Sequence, residues 1–137
     1  MYLLDTDVLS EARKEEKANA GVRAFFREAQ RDNAPLYVSV VTIGEIRRGL
    51  ELIRRRGAAA QADRLERWLH SVTESYATIL AFDDEMAHVW GKLRVPHPEN
   101  PLDKQIAATA LIHDLAVVTR NVPHFESTGV RLVNPFA

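Results

Sequence analysis

Short apolar runs alternate with segments of helical spacing along this chain, and that alternation limits the folds it can adopt. Apolar runs at residues 2–4, 36–38, 78–82, 116–119 and 130–133 predict strands, the last with the weakest signal. Strands that are separated by helices form parallel sheets covered on both faces. We therefore predict an α/β fold with a central parallel sheet of four to five strands, in one domain spanning residues 1–137.

The helical segments begin and end at residues that are typical of helix boundaries. A short helix is predicted from near Val8, and longer ones at 18–31, from about residue 43 to Gly57, and at 58–75. Asp83 can cap the next helix, and Asn100 the last, with Pro101 at its first position.

Composition excludes several classes of function. The chain has 137 residues with 18 Lys and Arg against 19 Asp and Glu, so its net charge of -1 gives no overall basic field that attracts nucleic acid. The absence of cysteine excludes disulfides, cysteine–zinc sites, iron–sulfur clusters and thiol nucleophiles. No apolar run approaches the roughly 18 residues of a membrane helix, and the N-terminus lacks a basic signal-peptide region. A cytoplasmic protein is the default expectation.

Polar side chains follow the predicted strands at the edge where sites form in parallel sheets. Asp5, the region of Ser39 and Asn121 come directly after three of the strands. Because ligand sites lie just beyond the carboxyl ends of such strands, we expect these residues to converge. Acids at the starts of the following helices, Glu45 and Asp103, can join them.

Each acid also has a local interpretation as a helix cap. Asp5 or Asp7 can cap the short helix near Val8, with Asp7 the stronger candidate. The pairs Thr42 with Glu45 and Asn100 with Asp103 have the spacing of a capping box, in which an acid reaches back to a backbone N–H. Taken singly, each acid is better explained as a cap than as a catalyst.

Taken together, the three acids indicate a cation site. Two carboxylates about 4 Å apart repel by on the order of 4 kcal/mol at an effective dielectric near 20. A divalent cation removes that cost, and Mg²⁺ favours a few carboxylates, several waters and a phosphate oxygen. Phosphodiester hydrolysis by metal-activated water fits such a site.

Four segments resemble, in order and spacing, the motifs of PIN-domain ribonucleases, especially VapC-type toxins and the FitB-like group. They are the stretches 3–11, 39–49, 101–110 and 118–125, which read LLDTDVLSE, SVVTIGEIRRG, PLDKQIAATA and VTRNVPHF. The resemblance covers essentially the whole chain. It implies a PIN-domain fold and a metal-dependent endoribonuclease that is the toxin of a toxin–antitoxin pair.

Carried over by position, the resemblance assigns the metal site. Asp5, Glu45 and Asp103 would hold Mg²⁺ or Mn²⁺, with Asn121 completing the catalytic set. Many family members carry an acid where Asn121 or His124 stands, and this chain has no acid at either position. Because an amide offers an oxygen but no charge, we expect one tightly held ion in each site.

Further residues are assigned supporting roles. Thr6 and Thr119 would orient water or a carboxylate. Arg120 and His124 are candidates for contact with the substrate phosphate. The arginines at 47, 48 and 54–56 predict a solvated helix face, part of which could follow an RNA backbone.

The resemblance also implies partners: a cognate VapB-like antitoxin, an RNA substrate such as tRNA or rRNA, and a second copy of the chain in a homodimer. Two alternatives stay open. One is a non-catalytic PIN-like domain that only binds RNA or protein. The other is a phosphatase of the haloacid-dehalogenase type, which Asp5, Thr6 and Asp7 also resemble, although residues 40–82 lack the lysine that its chemistry needs.

Overall fold

Five parallel strands form one sheet within the described part of the chain. The structure is a computed structural model that describes residues 1–74 and 77–137 with their side chains and residues 75 and 76 by backbone alone. The strand order is β3-β2-β1-β4-β5. The strands are β1 (Tyr2–Leu4), β2 (Leu36–Ser39), β3 (Thr78–Leu80), β4 (Ala116–Val118) and β5 (Leu132–Val133). The predicted parallel sheet, including its weakly signalled fifth strand, is confirmed.

Helices fill the connections between the strands. They are α1 (Thr6–Ala12), α2 (Ala20–Arg31), α3 (Val40–Arg55), α4 (Ala59–Ser71), α5 (Asp84–Leu93), α6 (Pro101–His113) and α7 (Val122–Phe125). The helix predicted over 58–75 corresponds to α4, which ends at Ser71 and continues directly into a π-helical turn, Val72–Tyr76. Among the described residues, no helix has the length and apolar character needed to cross a membrane.

The strands alternate their side chains between two hydrophobic cores. On one face, Leu4, Val38 and Val118 pack with buried residues of α1, α2, α3 and α4. On the other face, Leu3 and Val117 pack with α6 and with the aromatic ring at the end of α7. Because neighbouring residues of a strand point to opposite faces, this alternation requires a sheet covered on both sides. The expected layer arrangement is confirmed.

The register of the two central strands brings the first and last motifs together. Leu4 of β1 is paired with Val118 of β4, and the Asp5 N–H donates to the Val118 carbonyl at 3.0 Å. The residues that follow these two strands, Asp5 and Thr119, are therefore neighbours although 114 positions separate them. Sheet topology, rather than local sequence, positions this part of the site.

Part of the arginine run links two helices. Arg54 of α3 donates to Asp63 and Glu66 of α4 at 2.7 and 2.9 Å, and Arg47 donates to Glu66 at 2.8 Å. All these side chains are partly exposed, so the ion pairs add little stability individually. On this partly exposed face, Arg47 and Arg54 form an ion-pair network between α3 and α4.

The C-terminal tail packs tightly against the start of α2, and we expect Gly21→Ala to displace it. A Cβ atom at Gly21 would lie 2.1 Å from the Pro135 carbonyl oxygen and 2.8 Å from the Ala137 nitrogen. Overpacking of this kind lowers the free energy of unfolding by about 1–3 kcal/mol. Gly49→Ala in α3 is the matched control, since nothing lies within 4 Å of its Cβ position, and it should gain about 0.5–1 kcal/mol. Urea denaturation measures both, and equal effects would contradict the tail contact.

Candidate active site

A cavity of about 490 Å³ lies at the carboxyl end of the central strands. Its walls come from four separate parts of the chain: the start of α1, the first turns of α3, the beginning of α6 and the residue before α7. The lining residues are Asp5, Thr6, Asp7, Glu45, Asn100, Pro101, Leu102, Asp103, Ile106 and Asn121. The structure thus brings together Asp5, Glu45, Asp103 and Asn121, which the sequence predicts to converge. Their chemical roles stay predictions.

Asp5 is buried at the end of β1 and caps α1. Its side chain is 3% exposed; Oδ1 accepts from the Thr6 N–H at 2.8 Å, and Oδ2 accepts from the Thr119 hydroxyl at 2.8 Å. Burial, and then the charge of Asp7, raise the pKa of Asp5 from its ordinary 3.8 to about 6. The preference for Asp7 as the cap is wrong, because Asp5 has the extended backbone and the cap hydrogen bond.

Asp7 joins the first motif to the fourth, a contact that sequence reasoning missed. Its Oδ2 accepts from the Arg120 N–H at 3.0 Å, while its Oδ1 is buried without a hydrogen-bond partner. Burial is the main cause that raises the pKa of this carboxyl. Its position two residues after Asp5 was the available signal, but a local cap explained it equally well.

Glu45 lies in α3 and does not belong to a capping box. Ser39 caps this helix, since its hydroxyl oxygen accepts from the Val41 N–H at 3.1 Å. The helix therefore begins at Val40, and Thr42 already lies inside it with a buried hydroxyl that has no partner. The capping-box interpretation of Thr42 and Glu45 is wrong, and the Glu45 side chain lines the cavity instead.

Asp103 lies in the first turn of α6 and contacts His124. The Asn100 side chain makes no capping hydrogen bond, so the second capping box is also wrong. The His124 Nδ1 atom lies 2.8 Å from Asp103 Oδ2, within hydrogen-bond distance. His124 is thereby placed on a candidate metal ligand.

The loop after β4 carries the remaining candidates. The Asn121 N–H donates to the Thr119 hydroxyl oxygen at 2.9 Å, which connects Asn121 to the group that holds Asp5. The Arg120 guanidinium lies 3.9 Å from the centre of the Phe136 ring and is not among the residues lining the cavity. The C-terminal tail therefore holds Arg120 beside the acidic cavity rather than inside it.

Four acidic residues line the cavity, and among the described residues no basic side chain lines it. Asp103 adds to the repulsion that raises the pKa of Asp5, and Asp7 Oδ1 is buried without a donor. Carboxylate and amide oxygens are the donor set that hard divalent cations prefer. In the described ranges, no three acidic or histidine side chains form a ready-made ligand group. The chemical types of these donors fit a divalent ion. In the structure, Asp5 is hydrogen-bonded to Thr6 and Thr119, and Asp103 to His124.

Comparisons with known proteins agree with this geometry. The family model described as PIN domain matches residues 2–128. The chain is 33% identical to VapC ribonuclease Y4jK of Sinorhizobium fredii, covering 99% of this chain and 98% of that protein. It is 32% identical to Toxin FitB of Neisseria gonorrhoeae, covering 99% of each. The crystal structure of FitAcB from Neisseria gonorrhoeae superposes with a TM-score of 0.76 at 29% identity, covering 98% of both chains. The chain therefore belongs to the PIN-domain family.

Proposed function

We propose that this chain is a metal-dependent endoribonuclease and the toxin of a toxin–antitoxin pair. The observation that carries the proposal is the convergence of Asp5, Glu45 and Asp103, from three distant segments, on one cavity with an excess of negative charge. The names of two relatives, a VapC ribonuclease and a FitB toxin, support the same activity and the same biological role.

The residues of the cavity have different roles in binding Mg²⁺ or Mn²⁺. Asp5 and Asp103 are the principal ligands, and Glu45 is a ligand or the base that orients water. When bound, such an ion activates water and stabilises the negative charge that develops on the phosphodiester. Asn121 contributes an uncharged oxygen, and so we expect one tightly held ion in each site.

Other side chains keep these carboxylates in place. The Thr119 hydroxyl and the Thr6 N–H donate to Asp5, which favours its ionised form against the effect of burial. His124 holds Asp103 through Nδ1 and leaves its second ring nitrogen for a substrate phosphate. Arg120, fixed over Phe136, is a further phosphate contact at the rim.

The proposal includes three partners: a folded RNA such as tRNA or rRNA as the substrate, a VapB-like antitoxin as the inhibitor, and a second copy in a homodimer. The resemblance to toxin–antitoxin structures supports the antitoxin.

A non-catalytic PIN-like domain is the alternative, favoured by the uncharged Asn121 in the fourth motif. The family match over residues 2–128 disfavours the phosphatase.

Cleavage of end-labelled RNA tests the proposal. With tRNA and rRNA as substrates, we expect cleavage in Mn²⁺ or Mg²⁺, none in EDTA, and products with 5′-phosphate and 3′-hydroxyl ends. Cleavage that persists in EDTA and leaves 2′,3′-cyclic phosphates would contradict metal-activated water. RNA binding without cleavage in any divalent ion would support the non-catalytic alternative. Co-expression with a VapB-like antitoxin should suppress the cleavage.

A further inference from the structure

Lys104 is a buried charged side chain that the proposed chemistry does not use. It follows Asp103 directly in α6, it is 1% exposed, and it is among the largest fully buried side chains of the described residues. Burying an ammonium group is costly unless it is paired and hydrogen-bonded. An apolar residue would fill the same space without that cost, so the lysine needs an explanation beyond packing.

The Lys104 ammonium group is enclosed by the loop that precedes α6. Its Nζ donates to the main-chain carbonyl of His97 and, at 2.6 Å, to that of Glu99. The Glu99 carboxylate lies 3.9 Å away and is 58% exposed, so it balances the charge only partly. The principal partners of Lys104 are therefore backbone oxygens. Its hydrogen bonds fix the path of the main chain rather than the position of a side chain.

That path leads directly into one wall of the acidic cavity. His97, Pro98 and Glu99 are exposed, and Asn100 has a left-handed backbone with φ of 54° and no side-chain cap. The next residues after this turn, Pro101 and the Leu102–Asp103 pair, line the cavity together with Asn100. The Lys104 ammonium ties the exposed loop to α6 just before this left-handed residue, through the carbonyls of His97 and Glu99.

We propose that Lys104 is a positioning residue: by fixing residues 97–99 it holds the Asn100–Asp103 wall, and with it the Asp103 carboxylate, in the geometry that binds the metal ion and RNA. The inference rests on the proposed function, which it extends to a residue that does not line the cavity. It assigns Lys104 no contact with metal, water or RNA.

Lys104→Met tests the proposal, since methionine is long and apolar but cannot donate hydrogen bonds. We expect its Mn²⁺ affinity, measured by calorimetry, to fall about tenfold, as for other residues that support metal ligands. We expect the KM for RNA to rise by more than kcat falls. Amide hydrogen exchange at 97–103 should become faster, with no change in the sheet. Lys92→Met, at an exposed position of α5, is the matched control and should match the wild type in all three measurements.

Lys104→Arg should restore slow exchange and most of the Mn²⁺ affinity, because it keeps the charge and the N–H donors. If Lys104→Met does not fold, Lys104→Leu, which also cannot donate hydrogen bonds, replaces it under the same criteria. A folded variant with wild-type Mn²⁺ affinity, KM and loop exchange would overturn the proposal.

Failure of the proposed function would look different from failure of this inference. If the wild type does not cleave RNA in any divalent ion, the nuclease proposal is wrong, while the Mn²⁺ affinities and the loop exchange still test Lys104. If the wild type cleaves RNA and Lys104→Met behaves identically, the nuclease proposal stands and the positioning role is wrong.

Discussion

Asp5→Asn is expected to lower RNA cleavage by about a thousandfold and, at the same time, to stabilise the metal-free protein. Loss of a principal ligand removes metal-based stabilisation of the transition state, which is worth several kcal/mol. Each 1.36 kcal/mol corresponds to a factor of ten in rate, so about 4 kcal/mol gives the expected loss.

The gain in stability follows from the environment of the same carboxyl. Asp5 is buried, and its pKa is raised to about 6 from 3.8, which corresponds to a cost on the order of 3 kcal/mol for holding it ionised in the folded state. Asparagine carries no charge, can still accept from the Thr6 N–H and is a good helix cap. We therefore expect the free energy of unfolding at pH 7.5 to rise by about 1–3 kcal/mol.

The matched control is Asp32→Asn, which changes the same chemical group at an exposed position after α2. It should leave cleavage unchanged and stability within about 0.5 kcal/mol of the wild type. Cleavage rates with labelled RNA and urea denaturation without metal provide the two readouts. Equal cleavage by Asp5→Asn and wild type would point to a contaminating nuclease, and a destabilised Asp5→Asn would contradict the charge argument.

Ionisation of Asp5 should cost the metal-free protein stability as the pH rises from about 4 to above 6, and Mn²⁺ should restore it. A carboxyl whose pKa is higher in the folded than in the unfolded state contributes its full stabilisation below the unfolded value and loses it through the folded value. For Asp5 this window runs from 3.8 to about 6, and the raised pKa of Asp7 acts in the same direction. A cation that binds the ionised carboxylates only in the folded state reverses the loss above pH 6.

Urea denaturation between pH 4 and 7.5, with and without Mn²⁺, measures this dependence. Other carboxylates act in the opposite sense, since Lys14 lowers the pKa of Glu11 and Arg47 lowers that of Glu66. The informative quantity is therefore the difference between wild type and Asp5→Asn, which should grow by on the order of 3 kcal/mol across the window. A difference that does not change with pH would show that Asp5 titrates normally.

The sequence allowed the site to be located because strand ends converge whatever the local details are. Asp5 and Asn121 follow two strands that the structure pairs through one central register, so their proximity depends only on the parallel sheet. Two of the local interpretations failed because a better cap, Asp5 or Ser39, lies nearby. Ser39, placed directly at the end of β2, starts α3 and moves Thr42 into the helix interior.

Contacts between distant segments could not be predicted from local patterns. Asp7 accepts from the main chain of Arg120, 113 residues away, and no short motif encodes such a bond. Lys104 looks like an ordinary helical lysine in the sequence, because its backbone partners depend on how the preceding loop folds over α6. Both become visible only when the sheet and the loop are assembled.

Anomalous diffraction from crystals soaked in Mn²⁺ tests most directly whether this cavity is a metal site. We predict one strong manganese peak in each chain, within ligand distance of carboxylate oxygens of Asp5 and Asp103. A cavity without a peak, with Asp5 still bonded only to Thr6 and Thr119 and Asp103 only to His124, would contradict it.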